Sequence, residues 1–433
     1  MKNITTLILV AGKSSRFKSS KSKIFHELGG LSIIDHIYYT AKKISKNNIV
    51  FVCNKNNIKI LKKRFSNCNF ALQKNQKGTA DAVLSAKHLI KKNSYILILF
   101  GDVPLITLTT LKKLTNNFIR NKSFGSILVF NSKNPSGYGR VITKGNKVES
   151  VIEELNASSE IKKISLCNSG VMLSKYNLLY SFVKKIHYKN KKTEKYLPDI
   201  FAICHQNRKS FTFILCNEDE MLGVNTLDDF NKIDEIYQNR LRNNLINKGV
   251  KILDPKTVRV SYDTQIGKDS LIEPFVFIKT GVKLKSQVMI KTHTVLESSK
   301  IGKGSSIGPF ARLRPNTIIG ENVKVGNYVE IKNSKIGDDC SISHLSYIGD
   351  SQLGKNINIG AGTITCNYDG KNKNKTIIED NVFIGSNTSL IAPLKICKNS
   401  IIGAGSVITR NIPINSLAVE RSKLKISRII KRK

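Results

Sequence analysis

The chain has 433 residues, with 71 Lys and Arg against 31 Asp and Glu, giving a formal net charge of +40. That length suffices for two domains, each with its own core, and no apolar run approaches the roughly 20 residues of a membrane-spanning helix, so no stable membrane insertion is expected. The charge excess is mostly Lys, scattered beside many Asn and Ile with no basic block interleaved with aromatics; it reads as compositional drift, and no nucleic-acid partner is expected.

The apolar stretch from Ile4 to Val10 is short and runs into Gly12, as a first β-strand does and a signal peptide does not. The eight cysteines form no Cys-x-x-Cys pair, which suits reduced thiols in a cytoplasmic protein and gives no zinc site. Strand-like runs at 6–10, Ile49–Cys53, Tyr95–Phe100, 126–130 and Phe211–Leu215 alternate with helix-like stretches, so residues 1–226 are expected to form an α/β domain around a mostly parallel, Rossmann-like sheet.

The first strand ends in Leu9, Val10, Ala11 and Gly12, followed by Lys13, Ser14 and Arg16. A small-residue loop between a strand and a helix exposes backbone N–H groups, and the helix N-terminus with Lys13 and Arg16 would complete an anion cradle. It is neither a Walker A loop nor a full dinucleotide fingerprint. Lys23 follows closely enough to reach a phosphate. Gln73 with Gly78 and Thr79 marks a second loop that could read a base edge. Phe100, Gly101 and Asp102 follow an apolar strand, where open α/β sheets bind ligands, and make Asp102 a candidate metal ligand. Gly139, Glu153, Asn168 and Asn225 complete the polar set at expected loop positions.

Residues 228–248 read as one long helix with Phe230, Ile233, Ile236, Tyr237, Leu241 and Leu245 on one face and Gly249 as its cap; the linker is taken as 227–249. Residues 250–433 read as the second domain, in which from Ile266 onward an aliphatic residue recurs every sixth position: Ile266, Ile272, Ile278, Leu284, Ile290 and Leu296, then Ile301 to Ile331 after a one-residue slip, then Ile378 to Ile408. A coil of three short strands per turn explains a strict six, with glycines expected at corners that need positive φ. The beat breaks between Ile359 and Ile378, where function tends to be inserted. Arg314 and Lys332 are 18 residues apart, one full turn, and so should stack; His344 is two six-residue steps further on and is expected to converge with them. Two cations suit a sugar phosphate, and a histidine suits deprotonation of an amine. His293 carries no motif and reads as structural. The tail from Arg428 to Lys433 reads as a solvated end.

The loop Leu9–x–Ala11–Gly12–x–x–x–Arg16, then Lys23, Gln73, Gly78, Thr79, Gly101, Asp102 and the run Gly137, Tyr138, Gly139, Arg140 resemble the sugar-nucleotidyltransferase (pyrophosphorylase) family. Joined to a hexapeptide coil, nearly the whole chain resembles the bacterial bifunctional N-acetylglucosamine-1-phosphate uridylyltransferase / glucosamine-1-phosphate N-acetyltransferase family. The resemblance implies a left-handed parallel β-helix, against the usual crossover hand, a homotrimer, and synthesis of UDP-N-acetylglucosamine for peptidoglycan and lipid A. It implies acetylation of glucosamine 1-phosphate by acetyl-CoA in the C-terminal domain and uridylyl transfer from UTP in the N-terminal one. Under it, Asp102 and Asn225 hold Mg²⁺, Arg16 and Lys23 serve the phosphates, Gln73, Gly78 and Thr79 hold uracil, and Gly139, Glu153 and Asn168 hold the sugar. His344 becomes the general base; Arg314, Lys332, Tyr347, Asn358, Asn367 and Tyr368 bind the sugar phosphate; Ala361, Ser386, Ala404 and Arg421 meet acetyl-CoA. Ser14, Ser22, Asp81 and the pair Leu155 and Asn156 stand where the family usually has Gly, Pro, His and Lys-Asp.

Overall fold

The computed structural model describes residues 3–12, 15–186 and 195–427. It divides into two compact units, Met1–Tyr237 and Gln238–Lys433, with the division inside a long helix. Among the described residues no helix is long and apolar enough to cross a membrane.

The elements of the first unit, in chain order, are β1 (Ile4–Leu9), α1 (Ile33–Ser45), β2 (Ile49–Cys53), α2 (Ile58–Arg64), β3 (Asn69–Leu72), α3 (Thr79–Ser85), β4 (Tyr95–Phe100), α4 (Leu108–Asn121) and β5 (Gly125–Asn131). Then come β6 (Arg140–Lys144), β7 (Lys147–Ile152), α5 (Ser159–Lys162), β8 (Leu166–Lys175), α6 (Tyr176–Val183), α7 (Asp199–Gln206), β9 (Phe211–Leu215) and α8 (Leu227–Ile246). They build one nine-stranded sheet in the order β3-β2-β1-β4-β8-β5-β9-β7-β6. Strand directions follow from the pairings: seven strands run one way, and β7 and β8 oppose them. The sheet is buried on both faces by helices. Ile33, Ile34 and Ile37 of α1 cover one face, and Ala80 and Val83 of α3 with Leu179 of α6 cover the other. Continuous apolar strands such as β1, whose six residues are all buried, are what a doubly covered sheet requires.

Five of the nine strands are where apolar runs place them. β3, β6, β7 and β8 are additional. β3 is short and half-exposed, and β6–β7 is a hairpin with polar Lys144 and Lys147 at its turn. The alternation of β8 is broken by a bulge between Asn168 and Met172. A second difference lies after β1. The expected helix is absent: among the described residues two 3-10 turns, Ser15–Phe17 and Lys23–Phe25, follow the loop, and the first α-helix starts only at Ile33. Any anion cradle there rests on backbone N–H groups and cations, without a helix dipole. Lys13 and Ser14 lie outside the described residues.

The second unit is a parallel β-helix. Its short strands form three sheets in which every strand pairs with the strand one turn later: a first sheet from Lys251–Ile252 to Leu417–Ala418, a second from Arg259–Val260 to Val407–Ile408, and a third from Gln265–Ile266 to Leu394–Ile396. The aliphatic beat is the core. Ile272, Ile278, Ile290, Leu296, Ile307, Leu313, Ile331, Ile384, Leu390 and Ile402 are all fully buried in one continuous column. Each such side chain contributes about 1.5–3 kcal/mol of transfer free energy.

The corners differ from expectation. Positive φ is carried mainly by Asn and Asp, such as Asn316, Asn322, Asn333, Asp339, Asn356, Asn381, Asn399 and Asn415, whose short polar side chains tolerate the left-handed region. They cross-link successive turns, as in Asn381 Nδ2 donating to Asn399 Oδ1 at 3.2 Å and Asn399 Nδ2 to Asn415 Oδ1 at 3.0 Å. Most glycines after the aliphatic beat serve close packing between turns: a Cβ at Gly302 would overlap the Gly320 carbonyl, and one at Gly326 the Ser343 carbonyl.

Candidate functional sites

In the first unit, β1 and β4 pair with Leu9 opposite Phe100, so the loops after both strands emerge side by side at the carboxyl edge. Gly101 lies so close to Val10 that a Cβ would overlap the Val10 side chain. Three side-chain amides pin the loop after β1. Asn57 Nδ2 donates to the Val10 carbonyl at 2.6 Å, Gln76 Nε2 to that of Ala11 at 2.7 Å, and Asn54 Nδ2 to those of Ala11 and Gly12 at 3.3 Å. With its carbonyls held from behind, the loop is pre-shaped for a ligand. Sequence reasoning missed these three; the signal was the Asn54, Asn56, Asn57 cluster just after β2.

A cavity of about 440 Å³ opens there, lined by Leu9, Ala11, Gly12, Gln73, Gly78, Thr79, Phe100 and Asp102 together with Gln76, Ala82 and Tyr196. Gly78 has φ +95° and a backbone approach from Lys195 that leaves no room for a side chain. Beside it, a second cavity of about 220 Å³ shares Thr79, Phe100 and Tyr196 and is lined by Gly139, Glu153 and Asn168. The β8 bulge turns Asn168, Ser169 and Gly170 toward it. Burial, reinforced by Asp199, raises the Glu153 carboxyl above its usual range. Arg140 is buried behind this wall and paired with Glu154 at 2.8 Å, so it braces the loop. Leu155, with Asn156, is on an exposed 3-10 turn.

Asp102, which lines the larger cavity, is joined to Lys23, Asn225 and Arg16 in one hydrogen-bonded group. Lys23 is buried, and its Nζ donates to Asp102 Oδ2 at 2.7 Å and to Asn225 Oδ1 at 3.1 Å; Arg16 Nη2 reaches the same Asn225 oxygen at 3.3 Å. Two oxygens from distant loops, one of them anionic, thus converge on one cation. A carboxylate and an amide oxygen are the donor types of a hard divalent ion that completes its shell with water and phosphate. Among the described residues no three His, Cys, Asp or Glu side chains cluster as metal ligands; Asp102 with Asn225 offers two oxygens held by the same ammonium.

In the second unit, Leu313 pairs with Ile331, so Arg314 and Lys332 stack one turn apart where their strands leave the second sheet. Arg314 folds back to Glu330, Nη1 to Oε1 at 2.8 Å, which raises its guanidinium pKa. Lys332 is lowered, chiefly because Lys373 of the inserted loop lies against it. Two ammonium groups held together beside a guanidinium are suited to an anion. Lys373 was missed because its partner is 41 residues away in sequence, across the inserted loop. Asn367, nearly buried, hydrogen-bonds Asp350 at the same corner. Tyr368 turns outward instead, its hydroxyl donating to the Gly370 carbonyl at 2.7 Å, and it is 61% exposed.

His344 does not join the cations directly. It ends a strand of the first sheet, paired with Asn327, and lies at the corner where the chain enters the second sheet. Lys332 pairs with Gly349 at that sheet's far edge. The two groups therefore mark opposite ends of the strand Tyr347–Gly349, with Tyr347 between them. Four residues lie between His344 and Gly349, and the chain turns a corner among them, with Leu345 at φ +48°. His344 Nδ1 is 2.6 Å from Asn327 Oδ1. An amide oxygen only accepts, so Nδ1 carries the hydrogen and Nε2 keeps its lone pair. Asn327 was also missed, though it precedes His344 by one turn.

Ala361, Ser386 and Ala404 continue the His344 corner, turn after turn: the Asn387 N–H donates to the Ala361 carbonyl and the Gly405 N–H to that of Ser386, both at 2.7 Å. Each of the three stands two residues after a buried aliphatic of the first sheet, as His344 does. Arg421 lies against Gly403 and Gly405 at the foot of this column. Asn358 faces outward from the first sheet, one turn below Ser341. The next position at the corner bears stacked rings, Phe275, His293, Phe310 and Tyr328, with centroids 4.8–5.2 Å apart; His293 is thus one ring in a ladder. All eight cysteines are free, and burial pushes Cys53, Cys204 and Cys216 up to about 12, so none of these three is a nucleophile.

The MobA-like NTP transferase domain model matches residues 6–164, the GMPPB C-terminal domain model 301–390, and the bacterial transferase hexapeptide (six repeats) model 375–410. The chain is 39% identical over 437 aligned positions to "Bifunctional protein GlmU" of Bartonella bacilliformis, covering 100% of this chain and 97% of that protein. It is 40% identical to the protein of the same name from Thermosipho melanesiensis, covering 96% and 95%. A solved UDP-glucose pyrophosphorylase complexed with UDP-glucose superposes with a TM-score of 0.44 at 13% identity, over 55% of this chain and 100% of that one.

Proposed function

The chain belongs to the bifunctional GlmU family, and on that premise we propose that it runs two consecutive reactions at two separate sites. The coil, residues 250–433, acetylates glucosamine 1-phosphate from acetyl-CoA. The α/β domain, residues 1–226, then joins N-acetylglucosamine 1-phosphate to UMP from UTP and releases pyrophosphate; residues 227–249 link them.

The observation that carries this reading is the column running from Asn327 and His344 through Ala361, Ser386 and Ala404. A base with a fixed tautomer heads a track of small side chains, which leaves room for a thin acyl donor. Glucosamine 1-phosphate would lie along the strand Tyr347–Gly349, with its phosphate at Arg314, Lys332 and Lys373 and its amine at His344. Nε2 takes the amine proton as nitrogen attacks the thioester carbonyl; the acetyl group moves to nitrogen and the sulfur leaves with CoA. Asn367 and Asp350 back the phosphate end, and Arg421 meets the nucleotide of CoA.

In the α/β domain, a sugar-phosphate oxygen attacks the α-phosphorus of UTP in line, and the bond to the β-phosphate oxygen breaks. The protein's work there is positioning and charge neutralisation. Gln73, Gly78 and Thr79 hold uracil in the larger cavity; Gly139, Glu153 and Asn168 hold the acetylated sugar in the adjoining one. Asp102 and Asn225 would hold Mg²⁺, which when bound neutralises phosphate oxygens. Arg16 and Lys23 supply the remaining positive charge.

Lys23 now occupies the bond directions that Asp102 and Asn225 would turn to a metal. Replacing it with Met is therefore expected to tighten Mn²⁺ binding to the nucleotide-free protein about tenfold, the worth of one charge-assisted hydrogen bond, while slowing uridylyl transfer. An Mn²⁺ titration followed by electron paramagnetic resonance reads this directly. Unchanged or weaker binding would rule out competition between Lys23 and the metal.

We further assign a cytoplasmic homotrimer. The exposed apolar ladder of Phe275, Phe310, Tyr328 and Leu345 on the His344 corner supports contact with neighbouring copies. One assay tests the whole scheme: glucosamine 1-phosphate, acetyl-CoA, UTP and Mg²⁺ are incubated with the protein and the products weighed by mass spectrometry. UDP-N-acetylglucosamine is expected; no product from folded protein would sink the bifunctional reading.

A further inference from the structure

We infer that Asp81 is a specificity-determining positioning residue: it locks the Gln73 amide so that only an acceptor faces the base, which selects nucleotides whose ring presents an N–H donor there. This rests on the proposed uridylyl transfer and deepens it.

Gln73 follows β3 directly. Its backbone N–H donates to the Cys53 carbonyl at 2.9 Å, extending the β2–β3 ladder, and its residue is 5% exposed. Nε2 donates to the Gly78 carbonyl at 2.9 Å and to Asp81 Oδ2 at 2.9 Å. Both partners accept and cannot donate, since one is a carbonyl and the other a carboxylate. Turning the amide over would set Oε1 against two oxygens. The nitrogen end is therefore fixed, both its hydrogens are used, and Oε1 is the end left for the cavity that Gln73 lines.

Uracil and cytosine differ at this point. The uracil ring carries N3–H between two carbonyl groups, so a fixed acceptor suits it. Cytosine has a bare N3 with a lone pair, and a fixed acceptor repels it. A glutamine free to rotate could serve either ring, because its amide offers a donor at one end and an acceptor at the other. The carboxylate of Asp81 removes that freedom. Asp81 stands in the first turn of α3, in reach of the Lys77 N–H at 3.4 Å, so its own position is held by the same loop.

The test is the ratio of kcat/KM for UTP over CTP. In Asp81→Ala one of the two acceptors is lost, and the ratio is expected to fall about tenfold, chiefly through KM for UTP and with kcat nearly kept. Asp81→Asn retains an acceptor oxygen and is expected to keep most of the preference. A merely structural role would weaken UTP and CTP use alike, and an unchanged ratio in Asp81→Ala overturns the proposal. Should that variant fail to fold, Asp81→Leu, closer in size, makes the same comparison. A wild-type protein that uses neither nucleotide would instead refute uridylyl transfer itself, a result distinct from a preference that Asp81 does not control.

Discussion

Asp102→Ala is expected to lower uridylyl transfer at least about 100-fold, the scale reached even by outer partners of a metal ion, while acetyl transfer stays within twofold. The carboxylate has two jobs. It holds the buried Lys23 ammonium at 2.7 Å, and with Asn225 it forms the two-oxygen set on that ammonium. Alanine removes both, and it also leaves a buried cation short of its counter-charge. Asp102 is partly exposed, so the stability cost is expected at about 1–3 kcal/mol, below that of a fully buried pair. Asp102→Asn separates the two effects. Its amide oxygen still accepts from Lys23, so the fold is kept, but the negative charge that draws a divalent ion is gone. Uridylyl transfer by Asp102→Asn should therefore remain far below wild type and demand much more Mg²⁺ for half-maximal rate. Wild-type kinetics in the asparagine variant would show that the charge is not used.

The same residues show what a sequence discloses and where it stops. The six-residue beat displays the coil because burial acts on single positions: between its slips and its break, the aliphatic residues of the beat enter the column from Ile266 to Ile408. The stacking of Arg314 on Lys332 follows from the same period. Corner chemistry does not, since a glycine in the repeat satisfies close packing as readily as positive φ, and only the backbone tells that Asn316 and Asn333 take the left-handed role. In the α/β unit, fully buried strands such as β1, β2 and β4 announce themselves as apolar runs. The β6–β7 hairpin is half-solvated, and the β8 bulge interrupts alternation at the residues that face the smaller cavity. Asn54, Asn57, Asn327 and Lys373 share one property: each acts on a group at least a full coil turn away in sequence, so that even where a local cluster marks the residue, its partner is not marked with it.

His344→Ala is expected to reduce acetyl transfer by about 10²–10⁴-fold, the usual contribution of a positioned general base, and to leave uridylyl transfer intact. His344 is exposed, so its loss should change stability by no more than about 0.5 kcal/mol, and the coil core beneath it, Ile342 and Ile348, is untouched. The Asn327 contact gives the experiment a second arm. If that amide oxygen fixes the Nδ1–H tautomer, Asn327→Ala leaves the imidazole free to place its lone pair on either nitrogen. Acetyl transfer should then fall by about 10–100-fold, as when an orienting partner is taken from a functional histidine, with KM for acetyl-CoA nearly unchanged. Because His344 lies at the opposite end of the strand Tyr347–Gly349 from Arg314 and Lys332, its removal should spare sugar-phosphate binding, which calorimetry with glucosamine 1-phosphate can verify. Substitution of Lys332 should do the converse and act mainly on KM for the sugar phosphate. Loss of both activities in a folded His344→Ala protein would deny the separation of sites on which the two-reaction scheme depends, whereas undiminished acetyl transfer would move the base elsewhere on the coil.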